Sequence, residues 1–148
     1  EIVIVSCGGY PKDINLYQAQ KALLHVEPLV KPGGIIILLA ECSDGIGDDL
    51  FAQWMHEAKT PKDVVDRFRR EGFQLGAHKA FLLVRTMLVA RVFLISSLSG
   101  EVAREFFFEP YSSAEEALWA ALAHFDGRAK ISVVPQGTGL IPVRSYPD

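Results

Sequence analysis

The chain has 148 residues, a length that suits one domain. Hydrophobic residues make up 49% and charged residues 22%, which favours a packed core over a disordered tail. The net charge of -3 leaves no global electrostatic footprint for nucleic acid. Ile2-Val3-Ile4-Val5-Ser6 is a β-branched run that reads as a buried parallel strand, ended by Gly8-Gly9. Pro11 keeps Tyr10 out of a helix, and Asp13 is the expected N-cap of the first helix. From Ile14 to Val30 apolar residues recur at helical spacing, at Leu16, Ala19, Leu23, Val26 and Val30. Lys31-Pro32-Gly33-Gly34 stops that helix, and Ile35 to Ala40 is the second buried strand.

Glu41 to Gly47 is a polar loop, and Asp48 to Ala58 reads as a helix. Thr60-Pro61 starts another that runs to Gly72. A third covers Ala77 to Val89. Val92 to Ser96 is the third strand, followed by a short helix over Gly100 to Phe106 and an extra strand at Phe107-Phe108-Glu109. Ser113 to Phe125 is a helix with Ser113 and Glu116 as a capping box. Ile131 to Val134 is the last strand, and a Gly/Pro-rich tail runs from Pro135 to Asp148.

Strands alternating with helices predict an α/β fold: an open, mostly parallel, Rossmann-like sheet of four to five strands with helices on both faces. Such sheets bind ligands at the carboxyl ends of their strands. The loops at that edge are Cys7 to Asp13, Glu41 to Asp49, Ser96 to Gly100 and Pro135 to Leu140. No apolar run approaches the ~20 residues needed to span a bilayer. Cys7 and Cys42 lack metal-site spacing and read as small buried thiols of a reducing, cytoplasmic compartment. The chain opens on Glu1 directly before a strand, as expected of a piece of a longer protein.

Gly8-Gly9 allows positive φ and close backbone approach, and the next helix is expected to aim its N-terminal amides at the same crevice. An anionic ligand is favoured there. The spacing is neither GxGxxG nor a Walker loop. Further on, Tyr17 and Lys21 are four residues apart and Gln18 and Lys21 three, so a phenol, an amide and an ammonium share one helix face. That set suits a carboxylate beside a hydroxyl, although a solvated helix face produces the same spacing.

Gly8-Gly9-Tyr10-Pro11-Lys12-Asp13-Ile14-Asn15-Leu16-Tyr17-Gln18-Ala19-Gln20-Lys21, followed by Val30-Lys31-Pro32-Gly33-Gly34-Ile35-Ile36, resembles the start of the C-terminal domain of the nickel-dependent lactate racemase family. The match covers about the first quarter of the chain, and the rest fits more loosely. The resemblance implies a domain of a larger two-domain enzyme whose N-terminal catalytic domain is absent here. It implies a racemase or epimerase that inverts the hydroxyl-bearing carbon of a 2-hydroxy acid. Hydride would pass reversibly to a nickel-pincer nucleotide, a pyridinium bisthiocarboxylic acid mononucleotide carrying nickel. That cofactor, its metal ligand and the acid/base histidines would belong to the missing domain, and the present piece would be inactive alone. Lys21 and Gln18 match the family's lysine and glutamine and are the catalytic candidates. Tyr17 matches the adjacent tyrosine and is the substrate-binding candidate. His78 stands where lactate-specific members can carry a tryptophan facing the cofactor, so it is the candidate cofactor contact. The change points to a 2-hydroxy acid larger than lactate, or of different polarity, as readily as to lactate.

The expected partners are the small-molecule substrate and the protein's own N-terminal domain, with no nucleic acid and no membrane. His25, His56 and His124 show no metal spacing, and Glu41, Asp44, Asp48 and Asp49 lack the order of a calcium loop. Trp54 and Trp119 are expected to be packing anchors. Phe106-Phe107-Phe108 is expected to be partly buried. Two competing readings are a non-catalytic α/β module binding an anionic metabolite at Gly8-Gly9 and a structural domain used for oligomerisation.

Overall fold

The strand runs pair as their composition requires. In a computed structural model that describes residues 1–139, five strands form one parallel sheet in the order β4-β3-β2-β1-β5. Leu140 to Asp148, the end of the predicted tail, lie outside the described residues. The strands are β1 (Ile2–Ser6), β2 (Ile35–Leu39), β3 (Arg91–Ile95), β4 (Glu109–Pro110) and β5 (Ile131–Val134). Ile2 pairs with Ile35 on one side and Ile131 on the other, and Ile35 pairs with Arg91.

This register sorts the side chains by parity. Val3, Val5, Ile36, Leu38, Val92 and Leu94 bury one face beneath five helices: α1 (Leu16–Val26), α2 (Asp49–His56), α3 (Pro61–Glu71), α4 (Ala77–Val89) and α5 (Gly100–Glu105). Ile2, Ile35, Ile37 and Phe93 bury the other against Ala117 and Ala121 of α6 (Ala114–His124). Both faces carry helices, but unequally. No helix among the described residues is long and apolar enough to cross a membrane.

Several boundaries differ from expectation. Asn15, not Asp13, caps α1: its side chain accepts from the Gln18 amide at 3.0 Å. The reason is tertiary. The carbonyls of Asp13 and Ile14 accept from the amides of Cys42 and Asp44, which holds that stretch against the loop after β2. Helix α1 ends at Val26, not Val30, and Glu27–Leu29 tightens to a 3-10 turn because Pro28 has no amide to donate. Strand β4 lies at Glu109–Pro110, after Phe107, whose φ of 64° cannot continue a strand. Pro110 sits on an edge strand, where a missing donor is tolerated.

At α6 the cap is half as predicted. Ser113 accepts from Glu116 N, but the Glu116 carboxylate reaches back to Ser112. Trp54 is buried as expected, whereas Trp119 is 66% exposed because it lies on the solvent side of α6. Phe106 and Phe108 are buried.

Candidate functional site

The sheet order reverses at β1, which leads to β2 on one side while β5 lies on the other. A crevice opens at the carboxyl edge at such a switch point. Here it is a cleft of about 530 Å³ lined by Pro11, Lys12 and Ile14 from the loop after β1, Gln18 and Lys21 from α1, and Thr138 from the segment after β5. Thr138 Oγ1 donates to the Cys7 carbonyl at 2.8 Å, which ties the two loops together. His25 Nδ1 lies 2.7 Å from the Gly137 carbonyl and fixes the same segment to α1. Gly8 and Gly9 adopt φ of 93° and 76°, as the turn requires.

Lys21 Nζ donates to Gln18 Oε1 at 2.5 Å, so the amide and the ammonium act as one unit on the cleft wall. Among the described residues neither Lys12 nor Lys21 has a carboxylate within ion-pair distance. The cleft therefore holds uncommitted positive charge and suits an anion.

The source of that charge is not the one expected from the helix terminus. The amides of Leu16 and Tyr17 donate to the carbonyls of Gly45 and Ile46, and those of Gln18 and Ala19 donate to Asn15. Helix α1 thus has its first amides consumed by the loop after β2 and by its own cap. An anion in this cleft meets side-chain ammoniums instead.

Tyr17 is not brought into the cleft with Gln18 and Lys21. Its ring packs edge-on to Phe51 at 5.8 Å and lies beneath the ammonium of Lys79, 3.7 Å from the ring centroid. Burial, then the Asp48 charge, pushes the Tyr17 phenol up. Lys79 Nζ also donates to the Tyr17 carbonyl at 2.9 Å. Sequence alone does not mark Lys79, which passes there for a solvated lysine on α4. Nor does it single out Lys12, although that residue stands inside the Gly8 to Lys21 stretch.

His78 lies in the first turn of α4 beside Lys79 but does not line the Gln18–Lys21 cleft. Its ring leans on Phe73 at 5.0 Å, and its Nδ1 is buried with no hydrogen-bond partner among the described residues. His56 pairs with Glu105, and His124 Nδ1 lies 3.3 Å from Arg91. Among the described residues no three His, Cys, Asp or Glu side chains gather as a metal site. A second cavity, of about 440 Å³ between α2 and α3, is walled by charges committed to one another: Arg67 binds Glu57 and Glu71 and covers Trp54.

An open parallel sheet with helices on both faces, and a cation-lined crevice at its switch point, defines an α/β domain of the doubly wound class. Residues 1–142 match the family described as lactate racemase C-terminal domain, and the chain belongs to that family. It is 35% identical over 145 residues to a lactate racemase of Thermoanaerobacterium thermosaccharolyticum, a match covering 95% of this chain and 34% of the relative. It is 30% identical over 148 residues to a lactate racemase of Lactiplantibacillus plantarum, again covering 95% of this chain and 34% of the relative. The solved lactate racemase apoprotein from T. thermosaccharolyticum superposes with a TM-score of 0.90 at 35% identity, over 97% of this chain and 35% of that one. The chain thus spans about a third of the length of the curated relatives it matches.

Proposed function

We propose that this chain is the substrate-side domain of a racemase or epimerase acting on a 2-hydroxy acid, and that a further domain of the parent protein completes the site. The observation that carries the reading is the Gln18–Lys21 pair, hydrogen-bonded at 2.5 Å on the wall of the switch-point cleft. The Lys21 ammonium holds the substrate carboxylate. It has three N–H donors and spends one on Gln18. The Gln18 side-chain NH₂, which makes no hydrogen bond among the described residues, would donate to the substrate and orient it. Fixing the carboxylate and neighbouring hydroxyl presents the C–H bond in one pose, a contribution of position and charge rather than of proton transfer. Tyr17 supports this face from behind, since its ring turns toward Phe51 and Lys79.

A nickel-pincer nucleotide would supply the hydride acceptor. The residues here fit a share in holding such an anionic group: Lys12 and Lys21 offer uncommitted ammoniums in the cleft, and the orphaned Nδ1 of His78, at the start of α4, offers a hydrogen-bonding atom. The reduced thiols Cys7 and Cys42 fit a cytoplasmic setting.

The test is enantiomer interconversion by the full-length, cofactor-loaded protein across a panel of 2-hydroxy acids, read by chiral chromatography. At least one acid is expected to racemise, and the 148-residue chain alone is expected to be inactive. Failure with every acid in the panel would overturn the reading.

A further inference from the structure

Lys79 is the one lysine of the described residues that the fold takes out of water, at 9% exposure. Nothing in the reaction proposed above uses it directly. Burying an ammonium is costly unless a role or a partner repays it, and no carboxylate lies within ion-pair distance of Lys79 among the described residues. Its contacts all lead to the first turn of α1. Nζ donates to the Tyr17 carbonyl at 2.9 Å and sits 3.7 Å above the Tyr17 ring. In an α-helix the carbonyl of residue 17 also serves the amide of residue 21. The ammonium is thus fastened to the turn that carries Gln18 and Lys21.

We propose that Lys79 is a positioning residue for the carboxylate grip: from α4 it locks the Tyr17 turn of α1, aims Gln18 and Lys21 into the cleft, and places a second positive charge behind Lys21. This rests on the reading that Lys21 holds a carboxylate. Charge and geometry act together here. The groups that act on Lys79 are Lys21 and Tyr17 on α1 and Asp48 ahead of α2. Burial brings the ammonium down to about 8, helped by the Lys21 charge and opposed by Asp48. The second charge is therefore present at neutral pH and fades in the alkaline range, below the pH at which the raised Tyr17 phenol titrates.

The experiment is calorimetric titration of L-lactate, as a carboxylate probe, into the full-length protein at about pH 7.5 and about pH 9, on either side of the Lys79 titration. Wild type, Lys79→Met, Lys79→Arg and Lys21→Ala are compared. Lys79→Met is expected to weaken binding about fivefold at the lower pH, and Lys79→Arg to recover part of it. Wild-type affinity is expected to fall about threefold at the higher pH, while Lys79→Met stays flat. Wild-type affinity in Lys79→Met, with Lys21→Ala impaired, overturns the positioning role and leaves the grip standing. No loss in Lys21→Ala, or no binding by wild type, overturns the grip itself and the role of Lys79 with it. Should Lys79→Met fail to fold, the wild-type comparison between the two pH values still decides: equal affinity contradicts the proposal.

Discussion

Burial governs the titration of three side chains near the ligand rim, and together they shape the stability of the chain between about pH 8 and about pH 10. Lys79 is brought down to about 8, first by loss of water, while Cys7 and Cys42 are pushed up to about 12 by the same cause. A lysine with a lowered folded pKa releases its proton while the unfolded chain still holds it. Stability therefore rises from about pH 8, by at most about 1.4 kcal/mol per pH unit. The thiols act the other way. Unfolded thiols ionise from about 9 upward while the folded ones stay protonated, so stability then falls. Urea unfolding of the chain from about pH 7 to about pH 11 is expected to show a maximum near about pH 9. Lys79→Met should abolish the rise that precedes the maximum and keep the later fall; an unchanged rise in that variant would mean another group is responsible. The thiols were legible in the sequence as small buried residues, and they are 0% and 1% exposed. Lys79 was not, because lysines are rarely buried and nothing local marks this one.

At the scale of elements, the loop after β2 decides the start of α1. It supplies the carbonyls of Gly45 and Ile46 to the Leu16 and Tyr17 amides. It also lays Gly47 against the capping side chain: a Cβ there would stand 2.2 Å from Asn15 Cγ, at a φ of 92°. Gly47→Ala is therefore expected to cost about 2–4 kcal/mol, from positive-φ strain and overpacking together. Asn15→Ala should cost about 1 kcal/mol through the lost cap. Equilibrium denaturation measures both, and a Gly47→Ala chain as stable as wild type would show that Asn15 can move aside freely.

The same loop explains how far the sequence could be read. Strand composition and helical period located four of the five strands and all six helices, because each depends on its own residues; β4 shares only Glu109 with the run expected for it. The cap of α1 depends on contacts with residues 42–46, so nothing local separates Asp13 from Asn15 as the cap. The contribution of helix amides to anion binding failed for the same reason. The Gln18–Lys21 unit was legible because a three-residue spacing on a helix brings side chains together whatever the surroundings. Tyr17 shares that arc but turns toward Phe51, a residue brought near only by tertiary packing.

At the scale of the whole molecule, the parallel order β4-β3-β2-β1-β5 makes a crevice between the loops after β1 and β5, and both loops line the cleft. The two faces of the sheet are unequal. Beside α6, Ile131 and Val133 of the edge strand remain 42% and 66% exposed. The fold thus presents a charged cleft at one edge and an incompletely covered apolar face, on a chain about a third the length of its relatives. The account turns on whether the Lys21 ammonium in that cleft grips the substrate. The direct measurement is kcat/KM of the full-length, cofactor-loaded protein on its best 2-hydroxy acid, for wild type, Lys21→Ala and, as a control on the exposed surface of α3, Lys62→Ala. Lys21→Ala is expected to lose at least about tenfold, of the order of 1.4 kcal/mol of transition-state stabilisation, while Lys62→Ala matches wild type. Wild-type kcat/KM in Lys21→Ala would contradict the account.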